Sequence, residues 1–304
     1  MELSVVVPTL NGRAHLEAAL DAVATRAPHA EVVVVNGPST DGTGGLVRSH
    51  EAPDRRVEVA ERNPNVARNA GIEASTGDAV AFVGQASALE PGWTAGVREA
   101  LGDGADAVTG PVHHTVNGGV TTATPERTRI ARRDVTFFDA GNVALTRAAL
   151  DALDGFDEYL SVGGARDVAH RLAALDRTVA WHADVAVLRA KTESPDRLAD
   201  PDAPTRGVRY RCLAYCRAKN YGLRPSVATG TVQDAAEEAM SALRDVFAGE
   251  GRLSSWLGTG RDVLTNLARG AAAGLRARAT DRSAAPNPHG VSSRRDRAVV
   301  TQSH

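Results

Sequence analysis

The 304-residue chain contains only two cysteines, Cys212 and Cys216, too few for a disulfide framework or a tetrahedral zinc site. Four apart in a helical stretch, they share a face and read as small packing residues rather than a redox pair. No apolar run approaches the roughly 18–20 residues that a helix needs to cross a bilayer. The opening Met1-Glu2-Leu3-Ser4 has no basic stretch and enters a β-branched run at once, which argues against a secretory signal. Lysine is nearly missing, with only Lys191 and Lys219 among 35 basic residues, and with abundant Ala, Gly and Val this reads as coding bias. Net charge is also small, at −2. That balance, with no recognisable motif, argues against a nucleic-acid partner. These absences point to a cytoplasmic protein, peripheral on the inner face of the cell membrane if it meets a membrane at all.

What is present is ordinary for a globular chain: 42% apolar and 24% charged residues. The charge is unevenly spread. Residues 203–233 hold no acid but contain Arg206, Arg209, Arg211, Arg217, Lys219 and Arg224. Such a block either attracts phosphates and anionic lipid or is simply a solvated helix face.

The first hundred residues alternate strand and helix signals. Ser4–Val7, Glu31–Val35 and Ala79–Val83 read as buried parallel strands, with a weaker strand at Val57–Val59. Helices are expected at His15–Thr25, through Leu46 and Val47, and at Val66–Ser75. This order predicts right-handed βαβ units and a mostly parallel sheet. Ligands of such sheets bind at the carboxyl ends of the strands, where polar residues after the first, second and fourth strands converge. Further along, strands are expected at 105–112 and 178–188, an irregular stretch at 135–145, and helices from Arg147 and over 167–175. Residues 193–205 read as a Pro/Asp-rich linker and 206–280 as a helical, partly basic extension with helices at 207–221, 231–248 and 253–279. Residues 281–304 read as a disordered tail. The helix from Leu253 carries an apolar stripe with arginines mainly elsewhere, suited to packing on the domain or to a membrane interface.

Four segments in register resemble family 2 glycosyltransferases: Val7-Pro8-Thr9-Leu10-Asn11; Asn36-Gly37-Pro38-Ser39-Thr40-Asp41-Gly42-Thr43; Asn65-Val66-Ala67-Arg68-Asn69-Ala70-Gly71; and Gly155-Phe156-Asp157-Glu158 with Arg171-Leu172. The resemblance covers about residues 3–190. It implies a GT-A-like α/β fold with a mostly parallel central sheet flanked by helices, a nucleotide-sugar donor, and sugar transfer to an acceptor. More narrowly, the chain resembles archaeal enzymes that build glycans on dolichol phosphate for S-layer N-glycosylation. This implies a lipid-phosphate-linked acceptor, and a hexose or hexuronic acid as the sugar. By that resemblance Pro8, Asn11, Asn36, Ser39, Asp41 and Arg68 line the donor site.

Three acidic or metal-binding elements of the family are missing. The Asp-x-Asp position reads Gly84-Gln85-Ala86-Ser87, the Glu-Asp position reads Gly164-Ala165, and a late histidine is replaced by Arg189 or Lys191. No metal ligands are assigned, and a divalent cation as cofactor is doubtful, because hard cations want oxygen anions. Two readings stay open. In one, Arg68, Arg166, Arg189 and Lys191 clamp the leaving diphosphate and Asp167 is the base. In the other, the fold is a catalytically degenerate scaffold. A polysaccharide or lipid glycosyltransferase would share every motif quoted. His113 and His114, adjacent on a strand, point to opposite faces and suit surface roles, while His170 and His182 read as isolated, partly buried residues.

Overall fold

The computed structural model describes residues 1–116, 119–122, 126–190, 205–224, 253–294 and 300–303. An eight-stranded sheet forms its centre, in the order β12-β6-β11-β4-β1-β2-β3-β14. The strands are β1 (Leu3–Thr9), β2 (Glu31–Asn36), β3 (Arg55–Glu58), β4 (Ala79–Val83), β6 (Ala107–Thr109), β11 (Asn142–Thr146), β12 (Val179–Trp181) and β14 (Val300–Ser303). β1 pairs in parallel with both β2 and β4, whereas β11 runs antiparallel between β4 and β6. The expected mostly parallel α/β sheet is found.

β1 shows why its sequence is a continuous apolar run. Val5 and Val7 enter one core with Leu16 and Leu20 of α1 (Arg13–Arg26) and with Trp93 and Val97 of α4 (Trp93–Gly102). Val6 points the other way, into a core with Val66 and Ala70 of α3 (Pro64–Ala74), Leu150 of α5 (Arg147–Leu153) and Leu172 of α6 (Gly164–Ala174). A strand covered on both faces needs apolar residues at every position, not alternate ones. Gly71 lets α3 lie directly on the sheet, since a Cβ there would fall 2.3 Å from Val6 Cγ1. The chain goes from β1 to β2 and β3 on one side, with α2 (Thr43–Ser49) between them, then returns to place β4 on the other. The carboxyl ends of β1 and β4 therefore flank a topological switch point, where open α/β sheets form a crevice.

Three expected stretches are interrupted. Residues 105–112 divide into β6 and β7 (Val112–Val116) at Gly110-Pro111, where a Cβ on Gly110 would meet the Val185 carbonyl oxygen at 2.2 Å. Residues 178–188 divide into β12 and β13 (Val187–Arg189), and 135–145 into β10 (Arg133–Thr136) and β11. The breaks let the chain leave the main sheet and build a second one, in the order β5-β13-β7-β8, with β5 at Ser87–Leu89 and β8 at Gly119–Thr122. A hairpin of β9 (Arg127–Ile130) and β10 stands apart from both sheets.

The described part of the helical extension is a closely packed helix pair. α7 (Arg206–Tyr221) packs along α8 (Leu253–Thr280), with glycines at the closest approach: a Cβ on Gly270 would lie 2.1 Å from the Arg211 carbonyl oxygen, and one on Gly274 2.4 Å from that of Tyr215. The buried face of α8 is thus Gly270, Gly274 and Ala277, while Leu264 of the expected apolar stripe is 69% exposed. Among the described residues no helix is long and apolar enough to cross a membrane. The expected helix at 231–248 and nearly all of the linker lie outside the described residues.

The expectation of a disordered tail is corrected over residues 281–294. Asn287 Nδ2 donates to the carbonyls of Leu153, Asp154 and Gly155 at 3.1, 2.8 and 3.3 Å, and Ser292 bonds the Asp154 carboxylate through both its N–H and its hydroxyl. The last carbonyls of a helix lack partners of their own, and here the carboxyl-terminal segment shares that role with Arg171, which bonds the Leu153 and Gly155 carbonyls. Its polar composition concealed a docking role.

Candidate active site

The crevice is a cavity of about 280 Å³ at the carboxyl ends of β1, β2 and β4, lined by Pro8, Thr9, Gly37, Arg68, Gln85 and Gly141, among others. The amino terminus of α3 opens onto it. Asn63 caps that helix by accepting from Asn65 N–H at 2.9 Å, and Pro64 occupies its first turn. A helix start facing a cleft favours an anion there.

Of the residues expected at the donor site, Pro8 and Arg68 line this cavity, whereas Asn11, Asn36, Ser39 and Asp41 come together behind it and brace two loops. Asn11 takes a left-handed φ of 48°. Its N–H donates to Ser39 Oγ at 2.9 Å, and its Oδ1 accepts from Thr40 N–H at 2.9 Å. Ser39 Oγ in turn donates to Asn36 Oδ1 at 2.8 Å. Asp41 accepts from Arg13 N–H and from the N–H and hydroxyl of Thr43. Partial burial works to raise the Asp41 carboxyl, but these donors outweigh it and hold it below the usual range. The loop after β1 is thereby tied to the loop after β2, giving the cleft a fixed wall.

The next two motifs also bond to each other across the fold. Asn69 donates to the Phe156 carbonyl at 2.9 Å and accepts from Phe156 N–H at 2.8 Å, while Asn65 donates to the carbonyls of Asp157 and Leu160. Arg68, between them, donates to Asn65 Oδ1 at 2.7 Å and lies over the Phe156 ring. Burial draws its guanidinium down to about 10, partly offset by the charge of Asp139, so it stays cationic at neutral pH.

Sequence reasoning missed Asp139. It stands in the turn before β11, and β11 begins beside the end of β4, so the topology carries a carboxylate to the edge of the cleft. Arg189 grips it through both guanidinium nitrogens at 2.6 and 3.0 Å, and Gly141 N–H donates to it at 2.7 Å. Burial acts to raise the Asp139 carboxyl, but the Arg189 fork, Gly141 and the charge of Arg68 hold it below the usual range. In the β13–β5 ladder Arg189 stands opposite Ser87, the last residue of the segment that lacks carboxylates. Two of the expected cations, Arg68 and Arg189, are thus focused on one anion. Lys191 lies outside the described residues. Arg166 is not brought to this cluster: it pairs with Glu126 at 2.5 Å and covers the Phe137 ring at 4.3 Å, facing a separate groove.

Gln85 closes the end of the cleft. Its Oε1 accepts from the Thr9 hydroxyl at 2.7 Å and from Leu10 N–H at 2.9 Å, fastening the segment after β4 to the end of β1. The donor set does not fit a divalent cation. Glu61 is the one carboxylate lining the cleft among the described residues, residues 84–87 supply none, Asp139 is occupied by Arg189, and no group of three or more His, Cys, Asp or Glu suited to a metal is found among the described residues.

Asp167 does not stand where a base could meet an acceptor. Its side chain is fully buried, accepting from Arg171 Nε at 2.7 Å, Lys219 Nζ at 2.9 Å and Asn220 Nδ2 at 2.8 Å. Lys219 also reaches Asp157 at 2.5 Å, and Tyr215 donates to Asp157 at 2.7 Å. Burial opposes both carboxylates, yet Lys219 holds both below the ordinary range. Four formal charges, two of each sign, cancel inside the protein. His170, buried beside them, bonds Tyr221 at 2.8 Å and is pushed by burial down to about 4, so it is neutral at physiological pH. Cys212 and Cys216 are buried and unpaired with each other, as packing residues would be.

The family model for glycosyl transferase family 2 matches residues 4–153. AglE, a glycosyltransferase of Haloferax volcanii, is 33% identical over 129 residues, covering 40% of this chain and 42% of that protein. TuaG of Bacillus subtilis, a glycosyltransferase named for teichuronic acid biosynthesis, is 35% identical over 86 residues, covering 27% of this chain and 34% of that protein. The match therefore spans less than half the length of these relatives. Among solved structures, TarS residues 1–349 of S. aureus in complex with UDP-GlcNAc superposes with a TM-score of 0.62 at 18% identity, covering 90% of this chain and 84% of that one. The mannosyltransferase PcManGT of Pyrobaculum calidifontis, in complex with GDP-Man and Mn2+, gives 0.56 at 19% identity, with coverage of 90% and 87%. At such identities the likeness is one of fold, and the fold is GT-A.

Proposed function

We propose that the protein, whose residues 4–153 match the family 2 glycosyl transferase model, moves a sugar from a nucleotide-sugar donor to a lipid-phosphate-linked acceptor. The convergence of Arg68 and Arg189 on Asp139 at the end of β4 carries this reading. As the bond between the anomeric carbon and the donor phosphate breaks, negative charge builds on the leaving diphosphate. Arg68 lines the cleft near the amino terminus of α3, and Arg189 stands at its edge on Asp139; fixed guanidiniums of this kind are preorganised to receive the charge, and a fork of donors suits phosphate geometry. The base and ribose lie against Pro8 and Gly37, on the loops that Asn11, Asn36, Ser39 and Asp41 brace. Held in its ion cluster, Asp167 fastens α7 to the domain and takes no acceptor proton.

The finer assignment is a hexose or hexuronic acid passed to a dolichol-phosphate-linked glycan during protein N-glycosylation at the cytoplasmic membrane face. It is supported by the motif resemblance and by the likeness to AglE over 129 residues. Calorimetric titration with UDP, GDP and their sugar conjugates tests the donor half, and absence of binding by all of them would end the enzyme reading. Deleting the gene and weighing the surface glycans tests the acceptor half: a glycan shortened by one sugar is expected, and an unchanged glycan refutes it. One observation favours a scaffold instead. Asp167 is sequestered and residues 84–87 hold no carboxylate. Binding of a nucleotide sugar without turnover, under any acceptor supplied, would establish that alternative.

A further inference from the structure

A second cavity, of about 710 Å³, borders the same segment 137–141 as the proposed donor cleft. Phe137 lines this groove, while Ala140 and Gly141 line the cleft. Its walls are the β9–β10 hairpin, the start of α6 and one side of α7. The rim is cationic. Arg166, Arg206, Arg209 and Arg217 line it, and among the described residues Glu126 is the one carboxylate of its lining. His170 also borders it but is neutral at physiological pH. The floor has the opposite character, formed by Phe137, Ile130, Leu213 and Tyr210.

The start of α6 adds to the attraction. Gly163 turns the chain with a φ of 77°, no side chain caps the helix, and Gly163 itself lines the groove. First-turn N–H groups without a cap, together with a rim of arginines, favour a multiply charged anion. Arg166 is already arranged for exchange: it gives one bond to Glu126 and lies flat on Phe137, so an incoming phosphoryl group could replace the carboxylate without moving the guanidinium.

We infer that this groove binds the phosphoryl group of the acceptor together with the first apolar carbons attached to it. The inference rests on the glycosyltransferase reading for its meaning and on the groove alone for its chemistry. A cationic rim over an aromatic and aliphatic floor matches an amphiphile whose charge is confined to one end. Free phosphate would use only the rim, and a neutral sugar would use neither part. The position beside the segment that borders the donor cleft would put an acceptor held by its phosphate within reach of a donor sugar.

Geranyl phosphate is the probe, titrated calorimetrically into the full chain with and without saturating UDP. The double substitution Arg206→Glu, Arg209→Glu reverses two exposed charges on α7. Each hydrogen bond to a charged group that is lost weakens binding by roughly tenfold or more, so affinity for geranyl phosphate is expected to fall by roughly a hundredfold or more. UDP affinity should stay within about twofold, because the donor cleft is unaltered. Leu213→Asp, on the floor, should weaken geranyl phosphate but not inorganic phosphate. The inference fails if wild-type protein does not bind geranyl phosphate, if inorganic phosphate binds as tightly, or if the double variant binds like wild type. Loss of UDP binding in the wild type, with geranyl phosphate binding intact, would refute the donor reading and leave the groove standing.

Discussion

Lys219 reaches out of α7 to within 2.9 Å of the Asp167 carboxylate on α6, and neither side chain has any exposed surface. Asp157, 2.5 Å from the same ammonium, and Arg171, bound to Asp167, complete a buried and formally neutral cluster. Such a cluster contributes little compared with an apolar core of equal volume, but removing one member leaves charges buried without compensation. That typically costs about 3–5 kcal/mol. Lys219→Met should therefore lower unfolding free energy by roughly that amount, and chemical denaturation would register it as a shifted midpoint. A midpoint within error of wild type would mean that the helical extension is not joined to the domain through this lysine.

The same cluster sets an acid dependence. Asp157 and Asp167 have folded pKa values depressed below the ordinary 3.8, mainly because Lys219 overcomes the cost of burying them. A carboxyl depressed on folding contributes stability that is fully present above its unfolded pKa and is lost as pH falls toward the folded value. Thermal midpoints measured between pH 3 and pH 7 should accordingly be flat above about pH 5 and fall below about pH 4. The deficit of Lys219→Met should shrink over the same interval, since protonated aspartates no longer need the ammonium. A deficit of equal size at pH 3 and pH 7 would show that the lysine acts by packing, not charge.

Much of this arrangement was legible in the residues and some was not, for physical reasons. β1, β2 and β4 announced themselves because a strand buried on both faces must be apolar throughout. Asn11, Ser39 and Asp41 could be assigned to one site because parallel topology gathers the loops at the carboxyl ends of such strands. Asp139 could not, because its position depends on β11 entering antiparallel beside β4, a long-range pairing without a local signal. Asp167 misled for the converse reason. A lone carboxylate near a helix start resembles a base until a lysine from a helix some fifty residues away is brought against it. Residues 281–294 lacked periodicity because they dock through single side chains on carbonyls rather than through an apolar face.

That docking can be tested directly. Asn287 satisfies three carbonyls at the end of α5 and in the turn after it. Replacing it with Ala removes one donor from each, while Arg171 still bonds Leu153 and Gly155 and Val291 N–H still bonds Asp154, so the expected cost is that of an ordinary hydrogen bond, about 0.5–1.5 kcal/mol. Truncation after residue 280 should cost more, because it also removes the Ser292 bonds to Asp154 and the Arg294 contact with Glu73. Amide exchange over residues 150–156 should speed up in both variants. Unchanged exchange there would mean that the tail rests on the surface without holding it.

The proposed donor cleft makes the sharpest demand, since on that reading it holds a diphosphate with guanidiniums in place of a metal. Arg189→Ala removes one charged donor and should weaken UDP by about tenfold or more, that is, about 1.5 kcal/mol or above. Arg189→Lys should recover only part of this, because an ammonium cannot form the two-pronged contact that the guanidinium makes with Asp139. Asp139→Asn leaves both cations in place but loosens the grip on Arg189, so a smaller loss is expected, with UDP binding becoming more sensitive to salt. Chelation separates this account from its competitor. With no carboxylate in residues 84–87 and Asp139 occupied, EDTA should leave wild-type UDP affinity within about twofold. If EDTA abolishes binding and Mn2+ restores it, the cleft holds a cation by a route other than these side chains, and Arg68 and Arg189 lose the role assigned to them.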